Sequence, residues 1–149
     1  MADGQQEQQQ RSIRELQEEV VEEFEFLGDW TERYRHIIEL GRDLPPYPEE
    51  KRTDAHKVEG CQAQVWLHAE GKDGRVHYFA DSDAHIVRGL IALLLESYNG
   101  HTADEILATP PAFIDRLGLA ENLSQNRAQG MYAVLEQMKR YALALKSAQ

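Results

Sequence analysis

The sequence predicts an α+β fold: a small antiparallel sheet of about three strands packed against several helices. Three observations carry that reading. Apolar residues recur at helical spacing on both sides of a middle segment in which they alternate every second residue. Within that segment, Gly71-Lys72-Asp73-Gly74 separates two alternating runs, the signature of a hairpin. A chain of 149 residues without internal repeats is long enough for one core that buries roughly two thirds of the unfolded surface, with no need of a disulfide or metal staple.

The elements follow in order. Residues 1–11 are glutamine-rich and almost free of apolar groups, so they cannot offset the entropy of ordering and read as a mobile tail before a single domain at 12–149. Ser12 with Glu15 forms a capping box, and Ile13, Leu16, Val20, Val21, Phe24 and Leu27 make one helical stripe up to Gly28. Asp29 with Glu32 repeats the signal for a second helix, expected to end at Gly41. Leu44-Pro45-Pro46-Tyr47-Pro48 cannot continue it, because proline lacks the donor and restricts its predecessor, so a rigid connector follows.

The first strand runs from Ala63 to about Ala69 with Val65 and Leu67 on one face, and the second from Arg75 to Ala80 with Val76, Tyr78 and Ala80 on one face. Val58 is the candidate start of a third strand. Asp81, Ser82 and Asp83 offer cap oxygens for the most apolar stretch of the chain, Ile86 to Leu95, which should be the central buried helix. Short helices are expected after Thr102 and Thr109, and Ser124 caps a last helix with Met131, Val134, Leu135, Met138 and Tyr141 on one stripe.

Composition removes several classes of function. Sixteen basic against 26 acidic side chains leave a net charge of −10, which argues against a nucleic-acid backbone or an anionic membrane as partner. No apolar run approaches the ~20 residues of a membrane span, and the start of the chain lacks the features of a signal peptide. The six histidines, with no HxH or HxxxH spacing and no cysteine companions, do not suggest a metal site. A single cysteine forms no internal bridge and fits a reducing, cytoplasmic setting.

That cysteine, Cys61, stands at the entrance of the first strand. Gly60 before it permits a turn that holds a thiol on a loop tip, and Gln62 and Gln64 can donate hydrogen bonds to an anionic sulfur. His56, five residues upstream, is the histidine placed to pair with it. A buried, inert thiol is the usual fate of a lone cysteine, but its neighbours here are small or polar.

Three blocks together, Gly60-Cys61-Gln62-Ala63-Gln64-Val65-Trp66, then Asp81-Ser82-Asp83-Ala84 running into Ile86-Val87-Arg88-Gly89-Leu90, then Leu123-Ser124-Gln125-Asn126-Arg127-Ala128-Gln129-Gly130, resemble the SufE family of sulfur acceptors. Tyr34, Leu40-Gly41 and Leu44-Pro45 match as well, so the resemblance runs from the first capped helix to the last. It implies that a pyridoxal-phosphate cysteine desulfurase of the SufS or CsdA kind passes persulfide sulfur to Cys61, is thereby stimulated, and that the sulfur continues to a separate iron-sulfur cluster scaffold. The acceptor itself needs no cofactor. The implied fold is similar to that of IscU-like scaffold proteins, but those use three cysteines and this chain has one.

The resemblance also places Arg127 near the acceptor cysteine, to stabilise its thiolate or to contact the desulfurase, and Asp83 beside the cysteine loop, holding it in a protected position. It leaves the oligomeric state open between monomer and weak homodimer. Two other readings of the residues stand beside it: a stand-alone redox or transfer enzyme with Cys61 as nucleophile, and a docking adaptor whose thiol is incidental.

Overall fold

The computed structural model describes residues 11–148. The segment read as a tail lies outside them apart from Arg11, whose carbonyl accepts a hydrogen bond from buried His101 at 2.7 Å. Helix α1 (Ile13–Phe26) starts on the Ser12 cap, whose hydroxyl accepts from the Glu15 N–H, and buries Ile13, Val20, Val21 and Phe24. Helix α2 (Trp30–Arg42) starts the same way on Asp29.

Helix α2 passes through the glycine at which it was expected to stop. Gly41 is buried inside the helix because α2 crosses the central helix α3 (His85–Tyr98) at very short range. A Cβ on Gly89 would lie 2.0 Å from the Ile37 carbonyl oxygen, and one on Gly41 would lie 2.7 Å from the Gly89 nitrogen. Both glycines are therefore needed for space, not for a turn.

The proline connector leads through two single 3-10 turns, Glu49–Lys51 and Asp54–His56, to the sheet. Strands β1 (Val65–Lys72) and β2 (Arg75–Ser82) pair antiparallel from Val65↔Ser82 to Lys72↔Arg75. The hairpin loop is the two residues Asp73 and Gly74, with φ of 55° and 76°, so both strands are longer than the alternation alone indicated. The third strand is also displaced from its expected place: β3 (His101–Thr102) pairs with β2 on the far edge. Val58 donates one bond to the Val65 carbonyl, and Lys57 and Trp66 form an isolated bridge, because Gly60 turns the chain away after a single contact.

Short helices α4 (Ala103–Ala108), α5 (Ala112–Arg116) and α6 (Leu119–Asn122) lead to the long α7 (Gln125–Ser147), capped by the Ser124 hydroxyl. The inner face of the sheet, with Val65, Leu67, Val76, Tyr78 and Ala80 all at most 3% exposed, packs against α3 and α7. Two tyrosine hydroxyls tie strands to helix, Tyr78 to the Met138 carbonyl at 2.6 Å and Tyr141 to the Leu67 carbonyl at 3.1 Å. The connector covers part of the outer face: the Arg52 guanidinium lies 4.9 Å from the Trp66 ring, and the His56 ring meets His68 edge-on at 5.4 Å. No helix among the described residues is long and apolar enough to cross a membrane.

Candidate functional site

Cys61 occupies the loop that joins the connector to β1, where Gly60 turns the backbone at φ 92°. The thiol is half-buried and faces the first turns of α7, donating a hydrogen bond to the Gly130 carbonyl at 3.6 Å. A Cβ on Gly130 would lie 3.5 Å from the sulfur, ordinary van der Waals distance, so the helix backbone passes close beside the thiol. Burial pushes the Cys61 thiol above its ordinary range, because a thiolate there would lose hydration.

The thiol opens onto a cavity of about 380 Å³. Its apolar wall comes from Ile86, Val87, Leu90 and Ile91 of α3 with Met131 and Val134 of α7. Its polar edge is Gln62 from the cysteine loop with Ser124, Asn126 and Arg127 from the start of α7. Arg127 is the one charged residue in this lining, although the chain carries 26 acidic side chains, and its guanidinium takes part in no ion pair among the described residues.

The cysteine loop is tied down on its far side. The Asp83 carboxylate accepts a hydrogen bond from the Gln64 N–H at 3.0 Å, and the Asp83 N–H donates to the Gln64 carbonyl at 3.3 Å. Asp83 therefore does not cap α3; Ala84 is the cap residue and has no side-chain bond to offer. Ser82, also read as a helix cap, accepts from the Ala84 N–H at 3.2 Å, one residue short of the helix. The β2–α3 junction is in turn anchored by Asp81, which pairs with Arg52 of the connector at 2.9 Å and Arg88 of α3 at 3.1 Å. Periodicity gave no hint of this clamp, because its three charges come from three elements.

Of the residues predicted to serve the site, Cys61, Gln62 and Arg127 line one cavity, and Gly60 and Asp83 shape the loop that presents the thiol. Two do not join it. The Gln64 side chain is exposed and outside the cavity lining, since the Asp83 bonds hold its backbone on the other side of the loop. His56 does not pair with Cys61: its Nδ1 lies 3.1 Å from the Thr53 hydroxyl and its ring rests on His68, where burial, followed by the neighbouring His68 and Lys51, lowers its pKa. The 3-10 turn that ends at His56 directs the ring to the outer face of the sheet. Asn126 and Gly130, which the sequence showed only as members of the third block and gave no role of their own, complete the cavity.

A match to the family model "SufE: Fe-S metabolism associated domain" extends over residues 18–142. The chain belongs to the SufE family. It is 44% identical over 130 residues to a SufE-like protein of Rhizobium etli, covering 84% of this chain and 88% of that one. It is 43% identical over 112 residues to the sulfur acceptor protein CsdE of Escherichia coli, covering 74% and 76%. A SufE-like protein of Synechocystis is 40% identical over 130 residues, covering 87% and 82%. Among solved structures, the solution structure of a hypothetical protein from Thermus thermophilus superposes with a TM-score of 0.71 at 26% identity, covering 87% of this chain and 96% of that one. The α+β architecture with its three-stranded antiparallel sheet is thus shared with a solved fold, and the SufE resemblance read from the three sequence blocks holds.

Proposed function

We propose that this SufE-family chain is a sulfur acceptor in which Cys61 takes the outer sulfur of a persulfide from a pyridoxal-phosphate cysteine desulfurase, relieves that enzyme of its product, and passes the sulfur to an iron-sulfur cluster scaffold. The observation that carries the reading is the position of the thiol, half-buried at the mouth of an apolar cavity with a single cation on its rim. In the transfer, the Cys61 thiolate attacks the outer sulfur, the partner's S–S bond breaks as a new one forms on Cys61, and the partner cysteine leaves as a thiolate. No cofactor on this chain is required.

A thiol whose ionisation is suppressed by burial is a poor nucleophile while it waits, and docking activates it by moving the loop outward. The same shelter serves the loaded state, since a persulfide open to oxidants is lost up the oxidation ladder. Arg127 then acts on the anionic sulfur or on the desulfurase, and Asp83 sets how readily the loop leaves. The protein works in the cytoplasm, where a lone thiol stays reduced, as a monomer or weak homodimer.

Incubation with a desulfurase and cysteine, followed by intact mass, tests the proposal. One added sulfur on the wild-type chain and none on Cys61→Ser is expected. Sulfur added from cysteine alone, with no desulfurase present, supports a stand-alone enzyme instead, and undiminished desulfurase stimulation by Cys61→Ser supports an adaptor with an incidental thiol. Protection of the thiol from peroxide, compared with and without desulfurase, tests the moving loop; equal protection in both states overturns it.

A further inference from the structure

The cavity beside Cys61 is much larger than a sulfur atom. A sulfur atom, about the size of a water, whose share of liquid volume is ~30 Å³, leaves most of the 380 Å³ open. That volume falls in the roughly 300–1,000 Å³ range of small-molecule sites. The shape of the chemistry is also that of a ligand site: an apolar wall from α3 and α7, a nucleophile at one side, and one ionised group, the Arg127 guanidinium, which pairs with no acid among the described residues. In a chain of net charge −10, a cavity lined by a cation and no carboxylate favours an anion. A guanidinium presents a planar fork that matches a carboxylate with two parallel hydrogen bonds.

We propose that the cavity admits a low-molecular-weight thiol persulfide bearing a carboxylate, and that Cys61 takes sulfane sulfur from it directly, without a protein donor. Arg127 holds the carboxylate, the apolar wall takes the methylene body, and the outer sulfur lies against Cys61. Cys61 gives up its proton to solvent and attacks that sulfur; the donor's S–S bond breaks, a new S–S bond forms on Cys61, and the departing thiolate takes up a proton from solvent. One thiol and one persulfide become one persulfide and one thiol, with no net oxidation. Both contacts, Arg127 to the carboxylate and Cys61 to the outer sulfur, come from the lining of one cavity, so the donor can be small. The inference rests on Cys61 being a sulfur acceptor and extends the range of its donors.

The test uses the full chain with N-acetylcysteine persulfide and, as the neutral counterpart, the persulfide of N-acetylcysteine methyl ester, reading the added sulfur by intact mass against time and donor concentration. Loading by the carboxylate donor is expected to saturate. Arg127→Ala should raise its half-saturating concentration by about tenfold, the effect of one charge-assisted contact, and Arg127→Lys should restore part of the loss. The neutral donor should load slowly and be indifferent to both substitutions. Rates linear in concentration, equal for the two donors and unchanged in Arg127→Ala, overturn the proposal. A parallel reaction with desulfurase and cysteine separates the two levels: loading there without specific loading by the small donor sinks this inference alone, whereas a Cys61 that accepts sulfur from neither sinks the acceptor reading with it.

Discussion

Two helical glycines mark the opposite characters of the two sides of α3. At Gly89 the backbone of α2 is so close that a Cβ would lie 2.0 Å from the Ile37 carbonyl oxygen, a contact between main chains that nothing flexible can relieve. At Gly130 of α7, an added Cβ would lie 3.5 Å from the Cys61 sulfur, ordinary van der Waals distance, with the cavity beyond it. The first side is closed by backbone; the second is closed by one loop, held by a thiol contact to Gly130 and the paired bonds between Asp83 and Gln64. A carrier needs both kinds of surface, a crossing that fixes the wall of the site and a cover that can leave it.

Four substitutions and one titration sharpen this contrast. The largest effect is expected at the crossing: Gly89→Val should destabilise the fold by several kcal/mol, ~3 or more, because overpacking against backbone cannot relax, read as a lowered denaturant midpoint. Gly130→Ala should leave stability within ~1 kcal/mol, a methyl in van der Waals contact being offset by better helix propensity, while altering the alkylation rate of Cys61. A midpoint that moves as far for Gly130→Ala as for Gly89→Val would remove the distinction.

Next in size is the junction clamp. Asp81→Ala leaves Arg52 and Arg88 without their shared acceptor, and the Asp81 side chain is only 22% exposed. A loss of about 1–3 kcal/mol is expected, accompanied by faster Cys61 alkylation, since the same junction carries Asp83. Asp83→Ala itself should cost less, ~1 kcal/mol or below for exposed hydrogen bonds, yet speed alkylation of Cys61 severalfold by freeing the loop; unchanged alkylation would show that the loop is held elsewhere.

The smallest effect is on pH dependence. Burial raises the Cys61 pKa in the folded protein, so the folded state holds the thiol proton to higher pH than the unfolded chain does. Stability therefore falls as pH rises above the unfolded thiol's pKa, and this part of the fall is absent in Cys61→Ser. An alkylation profile should have its midpoint above that of the urea-unfolded chain, and coincident midpoints would show that the thiol is not sheltered.

The helices were legible because their caps are local: Ser12, Asp29, Thr102 and Ser124 each accept from the N–H three residues on, and sequence spacing alone reveals that. The hairpin was legible for the same reason, with a bend confined to two residues. Gly41 misled because a glycine at a helix end and a glycine at a helix crossing look alike until the crossing partner is known. The third strand misled because Val58 lies one turn before the first strand and makes only a single bond to it, whereas the pairing of His101 with Val76 depends on where α3 returns the chain.

The sequence by itself determined the capped helices, the existence of the hairpin and the placement of one thiol just before a strand, since each follows from spacing within a few residues. The tertiary structure alone decided that Cys61 meets Gly130 from 69 positions away and opens onto a cavity, and that His56 and the Gln64 side chain do not line it. The physical reason is that a cavity and the ionisation of a thiol within it depend on desolvation by distant groups, which no local pattern encodes.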